Sequence, residues 1–170
     1  MPVPRTVKMA AIKNFKEVGE GIFRGAQPHE EDFAFLKSLG IKTIISLRWK
    51  RKFVEEERRL CSEHGIEFVS IPLNYTNPPK FGDIKEFLKI IDDQEKRPVY
   101  VHCMHGVDRT GIMIALYRII RQGWEVDQAY QEMEACGFHK YRLRPFKWQL
   151  YKYAKYFARS KDDFFSTINS

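Results

Sequence analysis

His102-Cys103-Met104-His105-Gly106-Val107-Asp108-Arg109-Thr110-Gly111 decides how this chain is read. The apolar run Val99-Tyr100-Val101 leads into it, and a helix-spaced apolar run from Ile112 to Ile120 leads out. A cysteine and an arginine with five residues between them therefore bracket a short turn from a strand into a helix. A turn of that length curls round one phosphate with its N–H groups inward. The helix that follows aims unpaired N–H groups and its positive dipole end at the same point. That field favours a thiolate over a thiol at Cys103 and so makes it a nucleophile. Arg109 brings a planar fork that can hold two phosphate oxygens at once. Gly106 permits the positive φ and the close approach that such a turn needs. In shuffled chains of this composition, the cysteine, glycine, arginine and threonine fall at this spacing roughly once in a thousand, so chance is a poor explanation.

Outward from this stretch, strands and helices alternate. Ile22-Phe23-Arg24 reads as a short strand, and Pro28 opens a helix that runs to Leu39 and stops at Gly40. Residues 42–47 form a buried β-branched strand, 53–63 a polar helix and 67–71 a further strand. After a long loop over 72–82 come a helix over 83–93, the strand over 99–102, and helices over 110–122, 126–135 and 145–158. The pattern predicts a single α/β domain. Its central, mostly parallel sheet has about four or five strands flanked by helices, and the phosphate turn follows the last central strand. Residues 1–19 are expected to be an N-terminal arm, loose or covering a sheet edge. Residues 20–160 form the domain and 161–170 a tail.

The net charge of +7 over 170 residues points to anionic partners. No apolar run is long enough to cross a membrane, and residues 1–11 lack the apolar run of a secretory leader. The default expectation is a cytoplasmic monomer, or a secreted or periplasmic protein if a leader has been removed. Cys61, Cys103 and Cys136 are too few and too widely spaced for a disulfide framework. Cys61 and Cys136 read as packing residues, with trapping of an oxidised Cys103 as the alternative role for either.

In an open parallel sheet, ligands bind beyond the carboxyl ends of the strands. The loop Arg48-Trp49-Lys50-Arg51-Lys52 and the loop carrying Asn74, Tyr75, Asn77 and Lys80 should emerge on the same edge as Cys103. His139-Lys140-Tyr141-Arg142-Leu143-Arg144 is a third basic cluster, not fixed by the alternation. Lys50, Arg51, Lys80, Lys140 and Arg142 are thus expected to rim the pocket and bind a multiply charged substrate. The plainer alternative for residues 50–52 is a solvated helix start, which cations there slightly disfavour. A zinc site at His102, Cys103 and His105 is a poor reading: strand neighbours point to opposite faces, and no second ligand pair completes it. No metal and no cofactor is expected. The aromatic residues from Phe146 to Phe157, interleaved with lysines, read as a core-facing helix stripe rather than a nucleic-acid surface.

The Cys103–Arg109 stretch resembles the signature loop of the cysteine-dependent protein tyrosine and dual-specificity phosphatases. Gly21 to Pro28, Phe33 to Leu39, Ile41 to Arg48 and Tyr117 to Trp124 are similar to the small atypical dual-specificity type, so the likeness covers most of the chain. It is nearer to bacterial and fungal members, some of whose relatives act on inositol polyphosphates. The resemblance implies metal-independent hydrolysis of phosphate monoesters through a phosphocysteine. Cys103 would attack phosphorus, while Arg109 and the N–H groups of Met104, His105, Gly106, Val107 and Asp108 would hold the equatorial oxygens. Thr110 would hydrogen-bond the sulfur, and His102 would orient the cysteine.

The general acid has no obvious seat, because the loop over 72–81 carries no carboxylate. Asp108 is the first candidate, since the Cys-x4-Asp-Arg order is similar to myotubularin-type inositol lipid phosphatases. Its plainer role is a charge pair with an Arg or Lys. Asp83 is the alternative acid, with a helix cap as its plainer role. A third option is that no strong acid exists, which suits an activated leaving group. His105 gives the stretch a likeness to RNA 5′-triphosphatase domains. The favoured reading is a phytase-like inositol polyphosphate phosphatase. A phosphoprotein phosphatase comes second, and an RNA 5′-triphosphatase or a phosphate-binding pseudophosphatase lies further off. No nucleic-acid partner is expected.

Overall fold

A computed structural model describes residues 12–163 and Ser166. Its sheet has five strands: β1 (Lys16–Gly19), β2 (Ile22–Gly25), β3 (Thr43–Ser46), β4 (Glu67–Ser70) and β5 (Val99–His102). Their order is β1-β2-β5-β3-β4. Only the β1–β2 pair is antiparallel; β2–β5, β5–β3 and β3–β4 all run parallel. Around the sheet stand α1 (Phe33–Ser38), α2 (Arg51–Glu63), α3 (Phe81–Asp92), α4 (Asp108–Gln122), α5 (Val126–Ala135) and α6 (Arg144–Arg159). This is the single α/β domain that the alternation predicts.

Strand residues alternate between two cores. Ile22, Ile45, Val99 and Val101 pack against α3, α4, α5 and α6. Ile44 and Tyr100 pack on the other face with Phe33, Leu36, Leu60 and Cys61 of α1 and α2. All four residues of β5 are buried. Each fully buried Leu, Ile or Phe in these layers contributes about 1.5–3 kcal/mol. The parallel pairing brings the carboxyl ends of β2, β5 and β3, at Gly25, His102 and Ser46, to one edge of the sheet in register.

Several boundaries differ from the sequence reading. Within the stretch read as an arm, Ile12 is buried and β1 pairs with β2, closing that sheet edge. Residues 1–11 of the arm, and of the tail 164–165 and 167–170, lie outside the described residues. The helix expected from Pro28 does not start there. The Asp32 carboxylate accepts the His29 N–H at 2.8 Å, a 3-10 turn spans Glu30–Asp32, and the α-helix begins at Phe33. The helices expected from 53, 83 and 110 begin one turn or less earlier, at Arg51, Phe81 and Asp108. No helix among the described residues is long and apolar enough to cross a membrane.

Candidate active site

β5 ends at His102, and α4 begins at Asp108. Between them Met104 and His105 are exposed, whereas Cys103, Val107, Asp108, Arg109 and Thr110 are buried. The turn is held from outside by its carbonyls. Met104 O accepts the Gln27 backbone N–H at 3.2 Å, and Val107 O accepts that of Gly111 at 3.0 Å. His105 O accepts Asn14 Nδ2 at 2.8 Å, and Gly106 O accepts Arg24 Nη2 at 3.1 Å. Each acceptor thus points outward to a protein donor. The N–H groups of Met104, His105, Gly106 and Val107 have no acceptor among the described residues. Four N–H groups on the concave side of a turn, ahead of a helix N-terminus, make an anion cradle.

Gly106 is the hinge of this geometry. Its φ is +70°, and a Cβ there would lie 2.2 Å from the carbonyl carbon of Gly25. The turn therefore packs directly on the end of β2, an approach that only glycine permits.

Arg109 is 1% exposed, and its guanidinium is oriented by backbone carbonyls from the loops after β3 and β4. Nη1 donates to Leu73 O at 3.0 Å and more weakly to Leu47 O at 3.4 Å. Nη2 meets the Tyr75 hydroxyl at 3.3 Å, and the guanidinium carbon sits 4.5 Å from the Tyr75 ring centre. Nε is buried with no partner. An unsatisfied buried N–H beside a cradle of free N–H groups is what bidentate capture of an anion requires.

Thr110 departs from expectation. Its hydroxyl is buried without a hydrogen-bond partner, so the bond expected to the Cys103 sulfur is not made. His102 lies between two oxygens: Nδ1 is 3.1 Å from Cys103 O, and Nε2 is 2.5 Å from Glu57 Oε1.

Of the basic loop after β3, the cation that turns inward is Arg48, which is 7% exposed. Burial lowers the Arg48 guanidinium pKa, and the Arg109 cation adds to this, while its interactions with Cys103 and Glu57 work the other way. Those interactions put both guanidiniums within electrostatic reach of one another and Arg48 within reach of Cys103. Lys50 and Arg51 are exposed, with the Lys50 ammonium 5.6 Å from the Trp49 ring centre. Lys80, Lys140 and Arg142 are also exposed, and Lys140 Nζ stands 4.0 Å from Glu134.

The two acid candidates are both engaged. Asp83 accepts the Lys80 backbone N–H at 2.8 Å, a cap at the start of α3. Asp108 is 3% exposed and paired with His139 rather than with an Arg or Lys. Cys61 is fully buried, and burial pushes its thiol up to about 12. Among the described residues, no cluster of three or more His, Cys, Asp or Glu is arranged to hold a metal ion.

Arg24, Gln27, Glu57 and Tyr75 were not singled out as site residues by the sequence, yet they hold the turn, His102 and Arg109. The sequence offers a signal only for the first of them, a charged residue inside an otherwise apolar, buried stretch. That residue is Arg24, within Ile22–Gly25.

Residues 5–149 match the family model described as a DSP-PTPase phosphatase fused to NAD+ kinase. The dual specificity protein phosphatase TpbA of Pseudomonas aeruginosa (strain UCBPP-PA14) is 29% identical over 126 residues, which is 74% of this chain and 55% of TpbA. Inositol diphosphatase DSP2 of Oryza sativa subsp. japonica is 33% identical over 134 residues, which is 76% of this chain and 64% of that protein. The chain thus spans between half and two thirds of the length of these relatives. The core catalytic domain of the PP-IP phosphatase SIW14 from S. cerevisiae, solved with citrate, superposes with a TM-score of 0.73 at 23% identity, covering 90% of this chain and 94% of that one. At that identity the likeness is one of fold. The signature turn, the sheet order and the family match together place this chain in the dual-specificity branch of the cysteine-dependent protein tyrosine phosphatase family.

Proposed function

We propose that this protein is a metal-independent phosphatase in which Cys103 attacks phosphorus and forms a phosphocysteine. The observation that carries the reading is the anion cradle. Four N–H groups without acceptors and the unpartnered Nε of Arg109 gather at the turn that bears the cysteine. Arg109 and the cradle stabilise the equatorial oxygens as charge builds on them. The free hydroxyl of Thr110, one residue beyond Arg109, is available to the sulfur as the thiolate departs.

The favoured substrates are inositol polyphosphates, and within them those with a diphosphate. Two observations support this. A relative similar over most of this chain is named an inositol diphosphatase. The acid is also weakly provided for, since Asp83 caps a helix and the Asp108 carboxylate faces His139. Attack on the terminal phosphorus of a diphosphate expels the inner phosphate monoester, which needs little protonation, whereas an alkoxide leaving group needs a strong acid. Asp108 is retained as first choice for the donor by its place beside Arg109, with Asp83 second. Lys50, Arg51, Lys80, Lys140 and Arg142 would meet the remaining phosphates.

A second reading, hydrolysis of phosphoproteins, is favoured by one feature. A groove of about 530 Å³ runs beside the turn between Met104, Phe53 and Ile12, with Glu30, Glu31 and Glu56 along it. Carboxylates and apolar walls suit a peptide's flanking side chains better than a second phosphate. Phosphate release in EDTA from an inositol diphosphate and from a phosphotyrosyl peptide separates the two. A preference for the inositol diphosphate of tenfold or more in kcat/KM is expected; the reverse preference would overturn the substrate choice.

A further inference from the structure

Glu57 lies on α2, 45 residues from His102 in sequence, and is 1% exposed. A carboxylate so deeply buried is costly unless paired and hydrogen-bonded. Both its oxygens are engaged: Oε1 with His102 Nε2 at 2.5 Å, and Oε2 as acceptor from Gln27 Nε2 at 3.1 Å. Gln27 also accepts Arg48 Nη1 through Oε1 at 2.5 Å and donates its backbone N–H to Met104 O at 3.2 Å.

The other ring nitrogen of His102 faces Cys103 O at 3.1 Å. Both nitrogens therefore look at oxygen acceptors, and donation to both at once takes a ring protonated at each nitrogen. The ring also stacks on Tyr100 at 5.7 Å between centres, and Gln27 joins Glu57 to Arg48. A histidine that only closed a strand end would need one carbonyl, not a carboxylate buried with it.

We infer that Glu57 is a positioning residue for the nucleophile: through His102 it fixes the Cys103 carbonyl and sets a buried positive charge behind the cysteine. Through Gln27 it anchors Met104 and Arg48 to the same point. The inference rests on the reading of Cys103 as nucleophile.

Iodoacetamide alkylation of Cys103, followed by peptide mapping, tests it without any substrate turnover. Glu57→Gln keeps the shape and removes the charge. Alkylation near neutral pH is expected to slow by roughly tenfold, with the two rates converging at high pH, where the thiol ionises in both proteins. In a His102→Asn background the same substitution should add nothing, because the new amide oxygen still accepts from Gln27 and the lost charge acts through that ring. An unchanged rate in a folded Glu57→Gln protein, or an equal further loss in the His102→Asn background, would overturn the proposal. If Glu57→Gln does not fold, nitrogen-15 spectra of the wild-type histidine rings decide. Two protonated nitrogens on His102 at neutral pH are expected, and a neutral ring overturns the proposal. A protein that hydrolyses no phosphate compound yet shows Glu57-dependent alkylation would sink the phosphatase reading and leave this one standing.

Discussion

His139 grips Asp108 from two sides: its backbone N–H donates to Oδ1 over 3.0 Å, and its Nδ1 lies 2.9 Å from Oδ2. The pair ties the segment between α5 and α6 to the first residue of α4, next to Arg109. A general acid at this position matters in proportion to the basicity of the leaving group. Asp108→Asn is therefore expected to lower turnover of a phosphotyrosyl peptide by about 100-fold and of an inositol diphosphate by less than about threefold. Steady-state kinetics on both substrates check this, and equal losses would remove Asp108 from the acid role.

Gly106 cannot be replaced. The added methyl of Gly106→Ala would press on the Gly25 carbonyl at 2.2 Å and the Ala26 nitrogen at 2.6 Å, at a φ of +70°. The turn and β2 must separate. A stability loss of about 2–4 kcal/mol is expected, with phosphatase activity abolished. Urea titration and a single activity assay suffice; a stable, active Gly106→Ala protein would contradict the close packing.

Arg109→Lys keeps a charge and loses the fork. Lysine's three N–H groups radiate from one nitrogen and cannot hold the Leu73 carbonyl while presenting a planar pair to phosphate, so kcat should fall by about 10²- to 10³-fold. Tyr75→Phe removes only the weak 3.3 Å contact and keeps the ring under the guanidinium, so the change should stay within about threefold. Measuring both variants separates anion capture from support of the arginine.

The Cys61 thiol is held neutral by burial, which pushes it from 9.0 up to about 12. Below pH 9.0 the folded and unfolded chains both keep that proton, and its contribution to stability is whole. As pH rises toward about 12, the unfolded chain releases the proton first, so stability falls. Buried Tyr100, also raised well above its usual value, acts in the same direction. Melting temperatures at pH 8 and pH 10 should show the fall, and Cys61→Ala should flatten it. Iodoacetamide at pH 7.5 should label Cys103 and leave Cys61 unmodified, which makes Cys61 a poor partner for an oxidised Cys103.

What could be read from the sequence was what is contiguous in it. The signature turn, its strand and its helix occupy one unbroken run, and the alternating apolar segments fix a parallel sheet around them. β1 escaped because Lys16-Glu17-Val18-Gly19 is short, polar and half exposed, so no apolar rhythm marks it. The helix starts slipped because no side-chain cap stands at Lys50 or Val107 to announce them. Arg24, Gln27 and Glu57 stand 82, 77 and 45 residues from the groups they hold, and nothing local says that the sheet register will bring them together. The basic loop after β3 was read for Lys50 and Arg51, yet Arg48, the residue nearest the strand, is the one that turns inward.

The most direct test is acid quenching of the protein within milliseconds of mixing with an inositol diphosphate in EDTA, followed by mass spectrometry of the peptide that carries Cys103. A phosphate adduct on Cys103 is expected, together with loss of both the adduct and turnover in Cys103→Ser. Turnover that persists in Cys103→Ser, or rapid hydrolysis with no adduct at any quench time, would contradict a phosphocysteine mechanism in this cradle.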